Sequence, residues 1–271
     1  MNQRRHNKNG EWGMRSIFVT GGASGIGHAT AKLFAGKGWR VGIGDIQTPK
    51  EPIDGVAFFL LDVRDRTQWR DALDTFCGGP EGALDVLVNN AGIVRYGRFV
   101  ASDPVDSDLL VDINIKGVIN GCHMALPHLR AGTNPVIVNM ASAGAIYGGA
   151  DLAVYSATKF AVRGLSEALD GEFAPLGVEV RCVMPWFTDT PMVHQSGFDR
   201  NTSLNDEMAR NGSHTPAMPA AAVWDAVHGK ALHYPVGRPT KIFRLFARLF
   251  PDAMRKVARK GVLAKDAARA A

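Results

Sequence analysis

Tyr155 and Lys159 stand four residues apart in the stretch VYSATKF. On a helix that spacing stacks two side chains on one face. A phenol at its ordinary pKa of about 10 is a poor base at neutral pH. A cation beside it favours the phenolate and lowers that value. The pair reads in two ways: an acid–base device, or a lysine stem laid over a packed ring. A second set of residues could hold a dinucleotide. TGGASGIG places Gly21, Gly25 and Gly27, with Ser24 and Ile26 between them, directly after the apolar run SIFVT and at the start of a helical pattern. Glycines allow a tight turn and let backbone N–H groups approach a pyrophosphate, and the helix N-terminus adds partial positive charge. Asp45 ends the run GIGDI, about twenty residues further on, where a carboxylate accepts from a ribose diol and repels a 2′-phosphate. Its neighbours Ser24, Ile46 and Gln47 are uncharged. That favours NAD, with NADP second. Asp62 and Val63 close a third apolar run and could flank an adenine. NNAG, with Asn89, Ala91 and Gly92, closes a fourth and faces the same cofactor.

These residues need a scaffold that brings strand ends together. Apolar runs at residues 16–20, 40–46, 56–63, 84–92, 134–142 and 178–185 read as six strands. Helical patterns lie between or after them at residues 25–37, 67–76, 105–129, 154–174 and 220–232. Strands that are apolar throughout are buried on both faces, and their alternation with helices implies a parallel sheet. Right-handed crossovers then cover both faces of it. The expected fold is α/β, a Rossmann-type doubly wound parallel sheet in a single domain over residues 14–240. Ligands of such sheets bind beyond the carboxyl ends of the strands. Residues 186–218 are polar and irregular, and a long segment in that place reads as a helical lid.

Composition excludes several other classes. The chain has 271 residues and a formal net charge of +5. From Lys241 onward nine Lys/Arg stand against Asp252 and Asp266, a net +7, so the remainder sums to −2. The basic character belongs to the tail, and no basic–aromatic array marks a nucleic-acid partner. Cys77, Cys122 and Cys182 are odd in number and far apart, which suits reduced thiols in the cytoplasm. Histidine spacing offers no metal site. Residues 1–13 are polar and lack an apolar signal core, so they read as a disordered extension. No apolar run is long enough to span a membrane. The tail, residues 241–271, opens with an amphipathic helix. Ile242, Leu245, Phe246, Leu249 and Phe250 form its apolar stripe, with Lys241, Arg244 and Arg248 opposite. That stripe packs on the lid or another subunit, or makes the protein membrane-associated through peripheral contact.

Taken together, the motifs resemble the classical short-chain dehydrogenase/reductase family over roughly Arg15 to Met192. TGGASGIG is similar to its cofactor loop, Asp62 to its adenine-contacting aspartate, and NNAG to its fourth-strand motif. Asn114 in INIKG matches a helical asparagine of the family. Ser142, Tyr155 and Lys159 match its catalytic trio, including the thirteen-residue gap from Ser142 to Tyr155. The resemblance implies hydride transfer between a nicotinamide and a secondary alcohol or ketone. It assigns proton transfer to Tyr155, and to Lys159 both the cofactor ribose and a lowered phenol pKa. Ser142 would hold the substrate oxygen, and Asn114 would anchor a water relaying protons to Lys159. Pro185, the Thr188 backbone and the Thr190 hydroxyl would hold the nicotinamide carboxamide. Where the family carries Pro-Gly this chain has Pro185-Trp186, so Trp186 is either strained or lines the pocket. Val94, Ala143, Ile146, Leu152, Trp186 and Met192 are the expected substrate contacts, apolar enough for a lipophilic, steroid-, retinoid- or fatty-alcohol-like partner. The resemblance also implies a homodimer or homotetramer. Two other readings stand beside the NAD enzyme: an idle NAD-sensing regulatory protein on the same fold, and an NADP-dependent carbonyl reductase.

Overall fold

Unbroken apolar strands occupy the middle of the molecule. The computed structural model describes residues 4–6, 12–194, 208–209 and 211–270. In chain order the strands are β1 (Arg4–His6), β2 (Trp12–Met14), β3 (Ser16–Thr20), β4 (Arg40–Asp45), β5 (Val56–Leu60), β6 (Val86–Asn89), β7 (Val136–Met140), β8 (Glu179–Met184) and β9 (His233–Pro235). The α-helices are α1 (Gly25–Gly36), α2 (Arg66–Cys77), α3 (Pro104–Val111), α4 (Gly117–Arg130), α5 (Ala153–Phe173), α6 (Pro191–His194), α7 (Ala217–His228), α8 (Gly237–Leu249) and α9 (Pro251–Ala270). Strands β3 to β9 form one sheet in the order β5-β4-β3-β6-β7-β8-β9, every pair parallel. The chain winds outward in two directions from β3 and β6, which makes the gap above their carboxyl ends the switch point where ligands bind.

Alternate residues along each central strand feed two cores. Phe18, Leu87 and Ile137 join Trp69 and Leu73 of α2 and Val118 and Leu129 of α4 on one face. Ile17, Val19, Val86, Val88 and Val138 join Phe34 of α1 and Val223 and Val227 of α7 on the other. Local signals set the helix starts. Asp65 accepts from the Thr67 and Gln68 amides at the head of α2. Asp103 caps α3, with Pro104 in the first turn. Both are ordinary N-terminal stops that satisfy otherwise unpaired amides.

Several boundaries differ from the sequence expectation. The third apolar run ends as a strand at Leu60, because Leu61 and Val63 turn into the core rather than extending the ladder. The helix expected over residues 105–129 is two helices joined by a π turn at Asp112–Lys116, and such bulges gather at functional sites. His233–Pro235 adds a three-residue edge strand beside β8, too short for periodicity to reveal. Within the supposedly disordered extension, the β1 and β2 backbones pair antiparallel. The middle of the expected lid, residues 195–207, lies outside the described residues. Its flanks meet at the Thr188–His214 bridge.

Candidate active site

The glycine loop leaves β3 and closes under α1 with almost no room for side chains. Gly21 has φ 64°, and a Cβ there would stand 2.9 Å from the Ala91 Cα. A Cβ on Gly27 would stand 2.1 Å from the Gly21 carbonyl oxygen. Ser24 caps α1, yet its hydroxyl makes no capping bond. The cradle and the first amides of α1 thus suit a pyrophosphate. Asp45, at the end of β4, accepts from the Ala23 amide at 3.0 Å and the Gln47 amide at 3.1 Å. A carboxylate with two such bonds still has lone pairs for a ribose diol. Ile46 beside it is exposed. These residues fit a dinucleotide cofactor.

Other expected cofactor residues also make contacts within the fold. The Asp62 carboxylate is held bidentately by Arg64, with Nε 2.9 Å from Oδ1 and Nη2 2.6 Å from Oδ2. That guanidinium holds the carboxyl below its usual range. Lone pairs remain on the Asp62 carboxylate for a further donor. Val63 is buried, and its carbonyl accepts from Trp69 Nε1 at 3.0 Å and Asn120 Nδ2 at 3.0 Å. The Asn89 side chain points into the core, donating to Asn139 Oδ1 at 2.9 Å. The next residue faces the opposite way, as strand alternation requires. Asn90 Nδ2 donates to the Thr20 and Gly21 carbonyls at 2.8 and 3.2 Å, tying NNAG to the glycine loop. Asn90, not Asn89, reaches the cavity. The two-residue period of the strand carried that information.

Tyr155 and Lys159 lie in the first two turns of α5 and share one cavity with Ser142. Lys159 Nζ sits 5.7 Å from the Tyr155 ring centroid and donates to the Met140 carbonyl at 2.9 Å. Burial lowers its amine to about 8. Burial also pushes the Tyr155 phenol up, with the hydrogen bond from Ser142 opposing. The lowering of the phenol by Lys159 that the resemblance implies is thus opposed by burial. The Lys159 amine stands over the ring and donates to a main-chain carbonyl. Asn114 sits in the π turn, fully buried. Its Oδ1 accepts from the Ile93 amide at 2.8 Å, and its Nδ2 donates to the Ile93 carbonyl at 2.9 Å and Thr158 Oγ1 at 3.2 Å. The side chain thus braces the NNAG loop against α5. Ser142 Oγ accepts from the Gly144 amide at 3.1 Å, and Ser156 Oγ from the Gly149 amide at 3.2 Å. The small residue at 156 ties the substrate loop down.

The cavity opens beyond the carboxyl ends of β6, β7 and β8. Val94, Ala143, Leu152, Trp186 and Met192 line it as expected, together with Pro185, Thr188 and Thr190. Ile146 does not. It packs against the core under α5. Trp186 lies outside the left-handed region and its indole lines the cavity. It donates to the Asn211 carbonyl at 3.3 Å and meets Phe187 and Phe243 edge-on at 5.4 and 5.7 Å. Thr190 packs over Gly25, where a Cβ would meet its methyl at 3.1 Å. Phe243, from the tail helix α8, was not among the expected contacts. The pattern of α8 marked a different stripe as its apolar face, so only the packing identifies Phe243. Cys122 and Cys182 lie in the core, where burial pushes both thiols up to about 12.

Comparison with known proteins places this arrangement among relatives. A family model described as short chain dehydrogenase matches residues 15–201. A 3-oxoacyl-acyl-carrier-protein reductase of Thermotoga maritima is 36% identical over 65% of this chain and 75% of its own length. A 3-ketodihydrosphingosine reductase of Bacteroides thetaiotaomicron is 32% identical over 76% of this chain and 81% of its own length. The solved structure of a 3-ketoacyl-acyl-carrier-protein reductase from Brucella melitensis, complexed with NADH, superposes with a TM-score of 0.71 at 26% identity, covering 82% of this chain and 96% of that one.

Proposed function

The chain belongs to the short chain dehydrogenase family of oxidoreductases, and from that premise we propose that it moves a hydride between NAD(H) and a lipophilic secondary alcohol or ketone. The observation that carries this reading is the convergence of Ser142, Tyr155 and Lys159 on one cavity whose remaining walls are largely apolar. Bound nicotinamide would supply or accept the hydride. Gly21, Ser24, Gly25, Ile26 and Gly27 would bind its pyrophosphate side, and Asp45 with Ile46 its adenosine. Ala91, Gly92, Pro185, Thr188 and Thr190 flank the nicotinamide side. Tyr155 holds the proton exchanged with the substrate oxygen, Ser142 orients that oxygen, and Lys159 places its amine beside the ring and the ribose. Asn114 contributes by holding the Ile93 backbone and α5 in register. The Asp45 carboxylate, with uncharged Ile46 and Gln47 beside it, supports NAD over NADP. Several relatives are named for ketone reduction on acyl or sphingoid substrates, which supports a long apolar partner. A homodimer or homotetramer in the cytoplasm completes the reading.

The test is turnover by wild type and Tyr155→Phe over a panel of secondary alcohols and ketones, with NAD(H) and NADP(H) in parallel. Wild type is expected to turn over apolar members with NAD(H). Loss of the proton-transfer hydroxyl should lower kcat by about 10²- to 10⁴-fold while NADH binding by fluorescence persists. Binding of NADH by both proteins with no turnover by either would favour the idle sensor instead.

A further inference from the structure

The C-terminal helices carry an exposed apolar face on the outer side of the catalytic cavity. α8 turns Thr240 and Phe243 toward the body, and Thr240 is fully buried. The apolar stripe read from the sequence faces outward: Ile242, Leu245, Leu249 and Phe250 are each more than half exposed. α9 adds Val257 and Leu263, at 63% and 67% exposure. A remote loop joins the same surface. Arg98 is ion-paired to Asp151 at 3.1 Å and donates from Nη2 to the Val262 carbonyl at 3.3 Å. That bond brings Phe99 and Val100, at 66% and 94% exposure, alongside α9. Exposed Lys241, Arg248, Arg255, Lys256, Arg259 and Lys260 border the apolar residues, and Asp252 is the sole acid from 241 to 263.

We propose that this face docks on an anionic lipid bilayer, with the helices lying in the interface plane. Apolar side chains at this density, bordered by cations, match the chemistry of a headgroup region that is negative outside and greasy beneath. A second copy is the poorer occupant. Two-fold pairing through this face would set one tail of net +7 against another. The inference deepens the lipophilic-substrate reading and rests on it for its purpose. The same helix that offers Leu245 and Leu249 outward sends Phe243 into the cavity, so a substrate partitioned in the bilayer would meet the pocket beside its docking surface.

The experiment is flotation of the full chain with phosphatidylglycerol-containing vesicles and with pure phosphatidylcholine vesicles. It includes Leu245→Glu/Leu249→Glu and Arg255→Glu/Lys256→Glu, none of which lines the cavity. Wild type is expected to float with the anionic vesicles and not the neutral ones. Each double variant should float at least roughly tenfold less, as expected when apolar insertion or cationic attraction is lost. Turnover of a water-soluble ketone should be retained by both. Wild type remaining with the unbound protein, or floating equally with neutral vesicles, would overturn the proposal. So would variants that float like wild type, including the case where Leu245→Glu/Leu249→Glu only lowers the assembly mass, which would assign the face to a second copy. Flotation without any alcohol or ketone turnover would leave the docking intact and remove the dehydrogenase reading.

Discussion

Lys159 shows what the fold does to one ionisable group. Burial drops its amine to about 8 from an unperturbed 10.5. Between those values the unfolded chain binds more protons than the folded one, so stability rises with pH across that window. Below about 8 the folded protein carries a buried ammonium and the penalty is complete. Tyr155 acts in the opposite sense. Its raised phenol keeps a proton that the unfolded chain has lost, so its contribution falls with pH above the ordinary tyrosine value. The two windows overlap only at the alkaline end. Buried Cys122 and Cys182 act in the opposite sense over part of that window, since their unfolded thiols ionise at roughly pH 8.5. The lysine is therefore read by difference: in thermal melts of the cofactor-free protein from about pH 7.5 to 9.5, the Tm of wild type should rise relative to that of Lys159→Met as pH increases. A Tm difference that does not change with pH would show that the amine is not desolvated as described.

Helix α8 shows how an element can be predicted while its orientation stays open. Its amphipathic pattern is plain in the sequence, and the helix forms at Gly237–Leu249. Periodicity identifies which residues share a face, but not which face meets the body. The inward side is carried by Thr240 and Phe243, with Phe243 edge-on to Trp186 at 5.7 Å. Trp186 replaces a small family residue, and Phe243 packs against the indole. Phe243→Ala should therefore enlarge the cavity wall that this pair forms. The expected kinetic signature is a several-fold rise in KM for bulky apolar ketones, in line with lost apolar burial of roughly 1.5–3 kcal/mol at most, with little change for small ones. An equal effect on both would assign Phe243 to structural support. The π turn at Asp112–Lys116 is a second such case. The helix through Asn114 is legible as a pattern, but the bulge and the bonds from Asn114 to Ile93, twenty-one residues away in the chain, are not.

The whole molecule follows from a sheet whose central strands are buried on both faces. Its expected assembly is two or four copies of the 29.1 kDa chain, and light scattering of the full chain reads that mass directly. A monomer at micromolar concentration would remove the assembly inference while leaving the cavity intact. The sequence was enough for the parallel α/β architecture, the glycine cradle, Asp45, and the Ser142, Tyr155 and Lys159 constellation. The architecture and the cradle rest on short-range order, apolar runs and turn glycines, while the Ser142, Tyr155 and Lys159 constellation rests on the resemblance of its motif to that of a known family. Residues far apart in the chain had to meet before the rest was settled. Asn90 replaces Asn89 at the cavity, Arg64 captures Asp62, Ile146 withdraws into the core, and the tail sends Phe243 inward. Desolvation and long-range contact depend on what surrounds a side chain, and no spacing in the chain encodes that.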